Sequence, residues 1–463
     1  MSRADCFAEG ALSGPDAREP DRLLREQLDR LDLKQLGESV NLEAQARGVS
    51  FGSAGGEQTF RIDPVPRILD ASTWSGISAG VAQRVRALEL FTRDVYGERR
   101  IVNAGLISAE AITGADHYEP LLTGIAEQVR CWLTLAGLDL VRDHDGSFKV
   151  LEDNLRTPSG IAYAVATREI ISEHLTPPEA LRVRPLEDAF QRLGEALRAA
   201  ALPSAGDDPL VVLLSDGESN SAFYEHVTIA ERLKLLIVRR ADLAVRQGRL
   251  FARTAEGERA VDVVYRRTDE DRLSDEHGEP TWLAKLLLEP LREGTLACVN
   301  GFGTGVADDK LLHAYVEDMI DFYLHEKPLL RSVATYDPAQ PGMLEMILER
   351  IGELVIKPRS GSGGYGVLIG PHANREDIQR AAAAVATAPQ GYIAQEMIMI
   401  STHPTLTERG LEPRHVDLRP FAITSGDSVH VAPGGLTRVA FEAGALVVNS
   451  SQNGGSKDTW VLA

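Results

Sequence analysis

Apolar positions recur with a helical period in several stretches of the chain. Leu24, Leu28, Leu31 and Leu42 place helix over residues 22–46, with a break near Gly37. Val81, Val85, Leu88, Phe91 and Val95 form the stripe of another helix, capped by Ser72 and ended by Gly97. Helices are also predicted over residues 161–173 and around Leu186, Phe190, Leu193 and Leu197. Residues 60–69, with two prolines, read as extended. Residues 129–135 read as a strand because they are rich in strand formers.

After a linker at 204–208 the pattern alternates. Short apolar runs at 210–214, 235–238, 261–265 and 296–300 are separated by helices at 219–234 and 282–291. That alternation predicts a small open α/β sheet. Further on, a strand ending in Lys357 runs into a glycine loop containing Gly361, Gly363, Gly364 and Gly366. Residues 376–387 form an Ala-rich helix, 392–396 a strand, and 413–424 a strand with Asp417 and Arg419 on one face. The final stretch is polar and glycine-rich but closes on Trp460-Val-Leu, so it is expected to pack back on the protein. Residues 1–20 read as a mobile tail. The organisation expected is a tail (1–20), an N-terminal helical region with a hairpin (21–203), an open α/β part (204–305) and a last part (306–463). The fold class is α/β (α+β).

The candidate chemistry begins in a hairpin over 137–154. Asp145-Gly146 is the favoured pair for a two-residue turn. With that turn Asp139 lies opposite Glu152, and Asn154 shares their face. Three oxygen ligands without thiol or imidazole suit a hard cation such as Mg²⁺; a solvated acidic hairpin is the alternative. The polar turn after Asn154, with Ser159 and Gly160, opens a helix whose free N–H groups suit an anion, or it is simple capping. Arg266 and Arg267 fall at the carboxyl end of a sheet strand, where ligands of open α/β sheets sit. They are candidates for a substrate carboxylate or phosphate, or else a surface ion pair. Lys357 and the loop N–H groups are candidates for phosphate. The loop is neither a P-loop nor a dinucleotide fingerprint, because no helix follows it.

The net charge of −19 argues against nonspecific binding to nucleic acid or to an anionic membrane. Three scattered cysteines give no disulfide framework and no metal spacing, which fits a reducing cytoplasmic setting. No apolar run reaches membrane-spanning length and no secretory signal pattern opens the chain.

The C-terminal third resembles the nucleotide-binding part of the ATP-grasp superfamily. Asp309-Lys310, Val355-Ile-Lys357, Tyr392-Ile-Ala-Gln-Glu396 and Asp417-Leu-Arg419 come in that superfamily's order. Its metal-binding residues usually follow these elements, whereas here Asp139, Glu152 and Asn154 precede them. The chain therefore resembles the circularly permuted ATP-grasp proteins, type 2, a bacterial branch related to glutathionylspermidine synthetase-like ligases. The carrying motifs are Leu151-Glu-Asp-Asn-Leu-Arg-Thr-Pro-Ser-Gly160, Gly305-Val-Ala-Asp-Asp-Lys310, His415-Val-Asp-Leu-Arg-Pro-Phe421 and Asn449-Ser-Ser-Gln with Gly455-Ser-Lys457.

The resemblance implies two sheets clamping ATP beside a Rossmann-like subdomain. It implies Mg²⁺ on Asp139, Glu152 and Asn154, and phosphates on Lys310, Lys357 and Lys457. It puts the adenine hinge at Gln395 and Glu396, and places Arg419, with Arg156, facing the reacting phosphoryl group. Asn220, Tyr224 and His226 are candidates for the acceptor side, and His415 is read as structural. The implied reaction joins a small-molecule carboxylate to an amine of amino-acid, peptide or polyamine class. The alternatives are a small-molecule kinase and a non-catalytic nucleotide-binding scaffold. Two departures stand out. No amidase domain is recognisable, and Gly137 and Leu138 replace the arginine that the bifunctional synthetases carry before the first metal Asp.

Overall fold

The computed structural model describes residues 6–10, 17–52, 58–361, 366–442, 444 and 454–463. Its middle is a five-stranded sheet in the order Arg331–Ser332, Phe148–Asn154, Leu135–Arg142, Phe421–Ser425, Ser428–Val431. The hairpin expected to carry the acidic residues therefore lies inside this sheet, flanked by strands from much later in the chain. A second, antiparallel sheet is ordered Thr335–Tyr336, Tyr392–Glu396, Leu354–Pro358, Leu368–Ile369. Helices Met343–Arg350 and Arg375–Thr387 cover it, around a small core of its own that includes Ile347, Leu354, Ile356 and Val385.

The open sheet is wholly parallel, in the order Ala297–Val299, Val263–Arg267, Val211–Ser215, Leu236–Val238. Its two inner strands, Val211–Ser215 and Val263–Arg267, are buried on both faces, as in parallel sheets generally, while Leu236 on the edge strand is exposed. Val212, Leu214 and Val264 join one large apolar cluster, and Val211, Leu213 and Val263 join another. The end of the chain packs back as expected: Gly454–Val461 runs parallel to Ile62–Leu69, with Trp460 buried.

The hairpin register follows from two departures that cancel. Asp143 N–H donates to Ser147 C=O at 2.9 Å, so the loop is the three residues His144 to Gly146, not the two-residue turn expected. Gly146 sits at φ 81°, where a glycine is cheap. The extra loop residue would shift every later pair by one. A bulge restores the register: Leu140 pairs with Val150 but Asp139 with Glu152, leaving Leu151 unpaired. Asp139 thus does lie opposite Glu152, and Gly137 opposite Asn154.

Other boundaries moved. The first helical stretch breaks between Glu19–Leu28 and Leu33–Ala46, where Asp32 caps the second helix. Gly37 lies inside that helix, packed beneath Leu406. Asp70, not Ser72, caps the helix Ala71–Tyr96 by accepting from Thr73 N–H. Of the stretch 129–135 only Leu135 is strand, because Trp132 and Leu133 are turned into the core. Within the expected tail, residues 6–10 are packed down. Glu9 is buried and accepts from Arg67 at 2.9 and 2.6 Å, and Phe7 covers Gly146.

Candidate functional site

Glu152 and Asn154 alternate with Asp153 on the strand Phe148–Asn154, and Glu152 acts on Lys357 of the strand Leu354–Pro358 in the second sheet. Burial holds the Lys357 ammonium below the usual lysine range and Lys310 pushes it the same way, while Glu152 and Asp139 act to keep its proton on. Lys357 Nζ donates to Gln395 Oε1 at 2.7 Å. Lys310 Nζ donates to the carbonyl of Gly361, at the start of the glycine loop. Gly366 is described at the other end of that loop; Gly363 and Gly364 lie outside the described residues. Among the described residues, Glu152 makes no hydrogen bond and no ion pair. The Glu152 carboxylate therefore acts on Lys357 without a direct partner, and Lys310 opposes it at the same ammonium.

Asp139 is different. Arg419 grips it with two bonds, Nε to Oδ1 at 2.6 Å and Nη2 to Oδ2 at 2.9 Å. Arg438 adds a third contact at 2.8 Å and also holds Asp417, at 2.9 Å from Nε. Against the cost of burial, the two guanidiniums hold Asp139 ionised, with its pKa at about 2. Arg419 therefore does not point freely at a phosphoryl group; it shares its charge with the first expected metal ligand. Its stem passes over Gly137, where a Cβ would stand 3.2 Å from Arg419 Cδ.

A bracket sets the hairpin against the Lys310 segment. Asp308 accepts from Leu155 N–H and from Arg156 Nε, both at 2.8 Å. Arg156 also reaches Asp271 at 2.6 Å and His117 at 2.7 Å. Asn300 ties down both ends of the hairpin, accepting from Leu135 N–H at 2.9 Å and donating to Leu135 and Leu155 carbonyls. Burial pushes the Asp308 carboxyl up to about 6, with Arg156 opposing. Its unfolded value is roughly 3.9, so the folded chain holds an extra proton between these values. Stability from this group is present at low pH and falls as pH rises through the window. The lead of the wild type over Asp308→Asn, read from denaturation midpoints, is expected to widen as pH is lowered from 7 towards 4.

Several expected ligand groups are held by the protein itself. The helix Ile161–His174 does not offer its N-terminus to an outside anion, because Glu225 Oε2 accepts from Gly160 and Ala162 N–H at 2.8 and 3.0 Å. Arg267 holds that carboxylate at 2.7 Å and also donates to Pro158 C=O and Ser159 Oγ, so it locks the turn instead of binding substrate. Gly160 is at φ 128° with Phe421 against it, which fixes glycine there. Lys457, expected on phosphate, is fully buried and paired with Asp63. Gln395 is turned to Lys357, and Glu396 is tied to Arg350 at 2.8 Å and Tyr336 at 2.7 Å, so neither side chain is free.

His226 accepts from Ser215 Oγ or donates to it at 2.9 Å, inside the protein, and Asn220 is bound to Asp269. Tyr224 packs on Tyr163, with ring centroids 5.4 Å apart. His415 bonds the Ile400 carbonyl, a structural role as read from sequence. Asn449 to Gln452 lie outside the described residues. The sequence reading missed Arg438, Asp308 and Asn300. Asp308 had a signal, since it adjoins the Asp309-Lys310 motif. Arg438 and Asn300 had none, because each acts on residues more than a hundred positions away, or on another strand's carboxylate.

The donor set fits a hard cation in part. Among the described residues the Glu152 carboxylate is unpaired, and Asn154 Nδ2 is buried with no acceptor, so the fold does not fix this amide through its nitrogen. One or two oxygen ligands with water and phosphate oxygens suffice for Mg²⁺. Asp139 could join them only by releasing an arginine. Among the described residues no helix is long and apolar enough to cross a membrane.

With this geometry in place, likeness to known proteins becomes informative. Residues 66–440 match the family model "Circularly permuted ATP-grasp type 2". A functionally uncharacterised protein of Mycobacterium tuberculosis is 42% identical over 94% of this chain and 79% of its own length. A Frankia casuarinae protein named "Putative glutamate--cysteine ligase 2-2" is 41% identical over 95% of this chain, but over 52% of its own length. In shape, the chain resembles a glutathione synthetase-like effector from Globodera pallida, with a TM-score of 0.61 at 12% identity, covering 98% of this chain and all of that one. That last likeness concerns the fold alone. Strands from residues 135–154 paired with strands from residues 421–431 are what a permuted order of the same parts produces, and the chain belongs to the circularly permuted ATP-grasp family, type 2.

Proposed function

We propose that the protein is an ATP-dependent ligase that joins a carboxylate to an amine through an acyl phosphate, releasing ADP and phosphate. The observation that carries this reading is that the unpaired Glu152 carboxylate of one sheet acts on Lys357 of another, with Lys310 close to the same ammonium. Lys357, Lys310 and the N–H groups flanking Gly361 and Gly366 hold and align the phosphates. Glu152 and Asn154 would hold the magnesium ion, which would supply neutralisation of phosphate charge. Arg419, already paired with Asp139, and Arg156, already paired with Asp271 and Asp308, would stabilise the charge that builds on oxygen in the acyl transfer. The chemistry asks mainly for alignment and charge neutralisation. The name of the Frankia relative agrees in reaction type. The match covers only about half of that protein, 52%, so glutamate and cysteine are not carried over.

The test is a melting curve with a non-hydrolysable ATP analogue and magnesium. The midpoint is expected to rise by at least about 3 °C at saturating analogue and to fall back when EDTA is added. An unshifted midpoint in both conditions would exclude a nucleotide site. Phosphate release stimulated by an acid and an amine together, with amide formed, separates a ligase from a kinase.

A further inference from the structure

We infer that Arg266, near the carboxyl end of its strand in the open sheet, anchors a non-reacting carboxylate of a substrate. The anion site stands on geometry alone; its assignment to a substrate rests on the ligase reading above.

Arg266 and Arg267 are neighbours on one strand and so face opposite sides. Arg267 spends its two terminal nitrogens on Glu225, Pro158 and Ser159, and its Nε is left without a partner among the described residues. Arg266 is just 1% exposed, yet its Nε and Nη1 have no acceptor among the described residues. Its guanidinium lies 4.7 Å from the centroid of the Phe302 ring. A ring face attracts a cation but supplies no counter-charge. The Cys298 sulfur is a hydrogen-bond partner of Arg266, but burial pushes the thiol up to about 11, so this partner is neutral and weak. Glu119 acts on the guanidinium from further off. Burial pushes its carboxyl up to about 7, and its Oε1 is already engaged by Leu273 N–H at 2.8 Å. A buried guanidinium without a paired anion is costly, and proteins keep such a charge where a ligand completes it.

Two more enclosed groups lack partners among the described residues, one on a side chain that touches Gly301 and one on Thr304 of the same segment. Trp132, whose Nε1 has no acceptor, packs on Gly301, with its Cε3 3.1 Å from where a Cβ would stand. Phe302 carries Arg266 on its face. Thr304 Oγ1 is itself unpartnered. Guanidinium and indole are donors only, and a hydroxyl can donate. A set of donors selects a ligand that brings acceptors, and a carboxylate matches the guanidinium fork with two.

The same segment continues to Gly305, whose Cβ position is 2.6 Å from Arg156 Cδ. Five residues reach at most about 17 Å, so the anchor and the Arg156 end of the proposed ATP site fit within one extended small molecule. The substrate class this selects is an amino acid or short peptide. Its free carboxylate binds Arg266 while another group reacts. A simple polyamine does not satisfy it.

The experiment compares the full-length wild type with Arg266→Met, which keeps length and removes charge, and with Arg266→Lys, which keeps charge and loses the fork. Millimolar succinate is expected to raise the wild-type melting midpoint by at least about 2 °C, to raise that of Arg266→Lys less, and to leave Arg266→Met unmoved. Equal shifts in wild type and Arg266→Met would overturn the anion site, and equal shifts in wild type and Arg266→Lys would do so if the Met variant does not fold. In phosphate-release assays the KM for the stimulating amino acid or peptide is expected to rise at least tenfold in Arg266→Met, with the KM for ATP unchanged. Dicarboxylic acids with a plain amine, set against plain acids with an amino acid, identify which substrate carries the anchored group. An unchanged substrate KM overturns the assignment to a substrate. If succinate protects in an Arg266-dependent way while the nucleotide analogue does not bind, the ligase reading falls and the anion site stands.

Discussion

Glu152→Gln is expected to abolish ATP turnover, by about a thousandfold or more, while moving the melting midpoint by no more than about 2 °C. The two halves of this expectation have separate physical origins. The fold does not use the Glu152 carboxylate, because among the described residues it makes no hydrogen bond and no ion pair. The substitution is isosteric and leaves no group unpaired. The nucleotide site, in contrast, loses its one carboxylate that is free to bind metal, since both oxygens of Asp139 are taken by Arg419 and Arg438. A divalent ion supplies several kcal/mol of charge stabilisation to phosphoryl transfer, and about 4 kcal/mol corresponds to a thousandfold in rate. Steady-state phosphate release and a melting curve on the same preparation check both halves. Turnover within tenfold of wild type would remove Glu152 from the metal site. Loss of the midpoint would mean that its role is structural.

The opposite pattern is expected at Lys457. Lys457→Met should cost about 3–5 kcal/mol of stability and leave turnover per folded molecule unchanged. The ammonium is fully enclosed and held by the Asp63 carboxylate, with the carbonyls of Val65 and Pro404 completing its bonds. It joins the last strand of the chain to Ile62–Leu69 and to the hairpin Thr402–His415. Removing the lysine leaves Asp63 buried, ionised and short of its counter-charge. Two backbone N–H groups, of Val65 and Leu406, still bond that carboxylate, so the loss should stay within this range. Denaturant titration measures the first quantity, and activity normalised to folded protein the second. A stable variant with weakened ATP binding would return Lys457 to the phosphates, where its motif first put it.

These two residues show how far local sequence carries. Both sit in motifs that mark the family, yet one is unpaired at the site and the other is sealed in the core. The same division runs between Arg266 and Arg267. Side-chain chemistry and position at the end of a strand are identical for the two, and only their opposite faces separate a free guanidinium from one locked on Glu225. The glycine and serine opening the helix Ile161–His174 read as an anion site on their own. Glu225 comes from the open sheet's first helix, Phe223–Leu233, and fills the place. Its arrival is not encoded near residue 160.

What the sequence determined by itself was whatever depends on short-range periodicity and on ordered motifs. The open α/β sheet, the amphipathic helices, the packing back of the end with Trp460 and the facing of Asp139 and Glu152 follow from patterns along the chain, and the ATP-grasp family from its likeness in ordered motifs. Even the error in the turn did not spoil that facing, because the bulge at Leu151 absorbed it. What only the tertiary structure decided was the assignment of charge. Each carboxylate could pair with any of several arginines or lysines, and the choice is made by burial and by contacts across hundreds of residues, such as Asp139 with Arg419 or Asp63 with Lys457. Coulomb attraction in a dry interior is strong but carries no imprint of sequence distance, so which charges are consumed by the fold and which are left for a ligand becomes legible once the chain has closed.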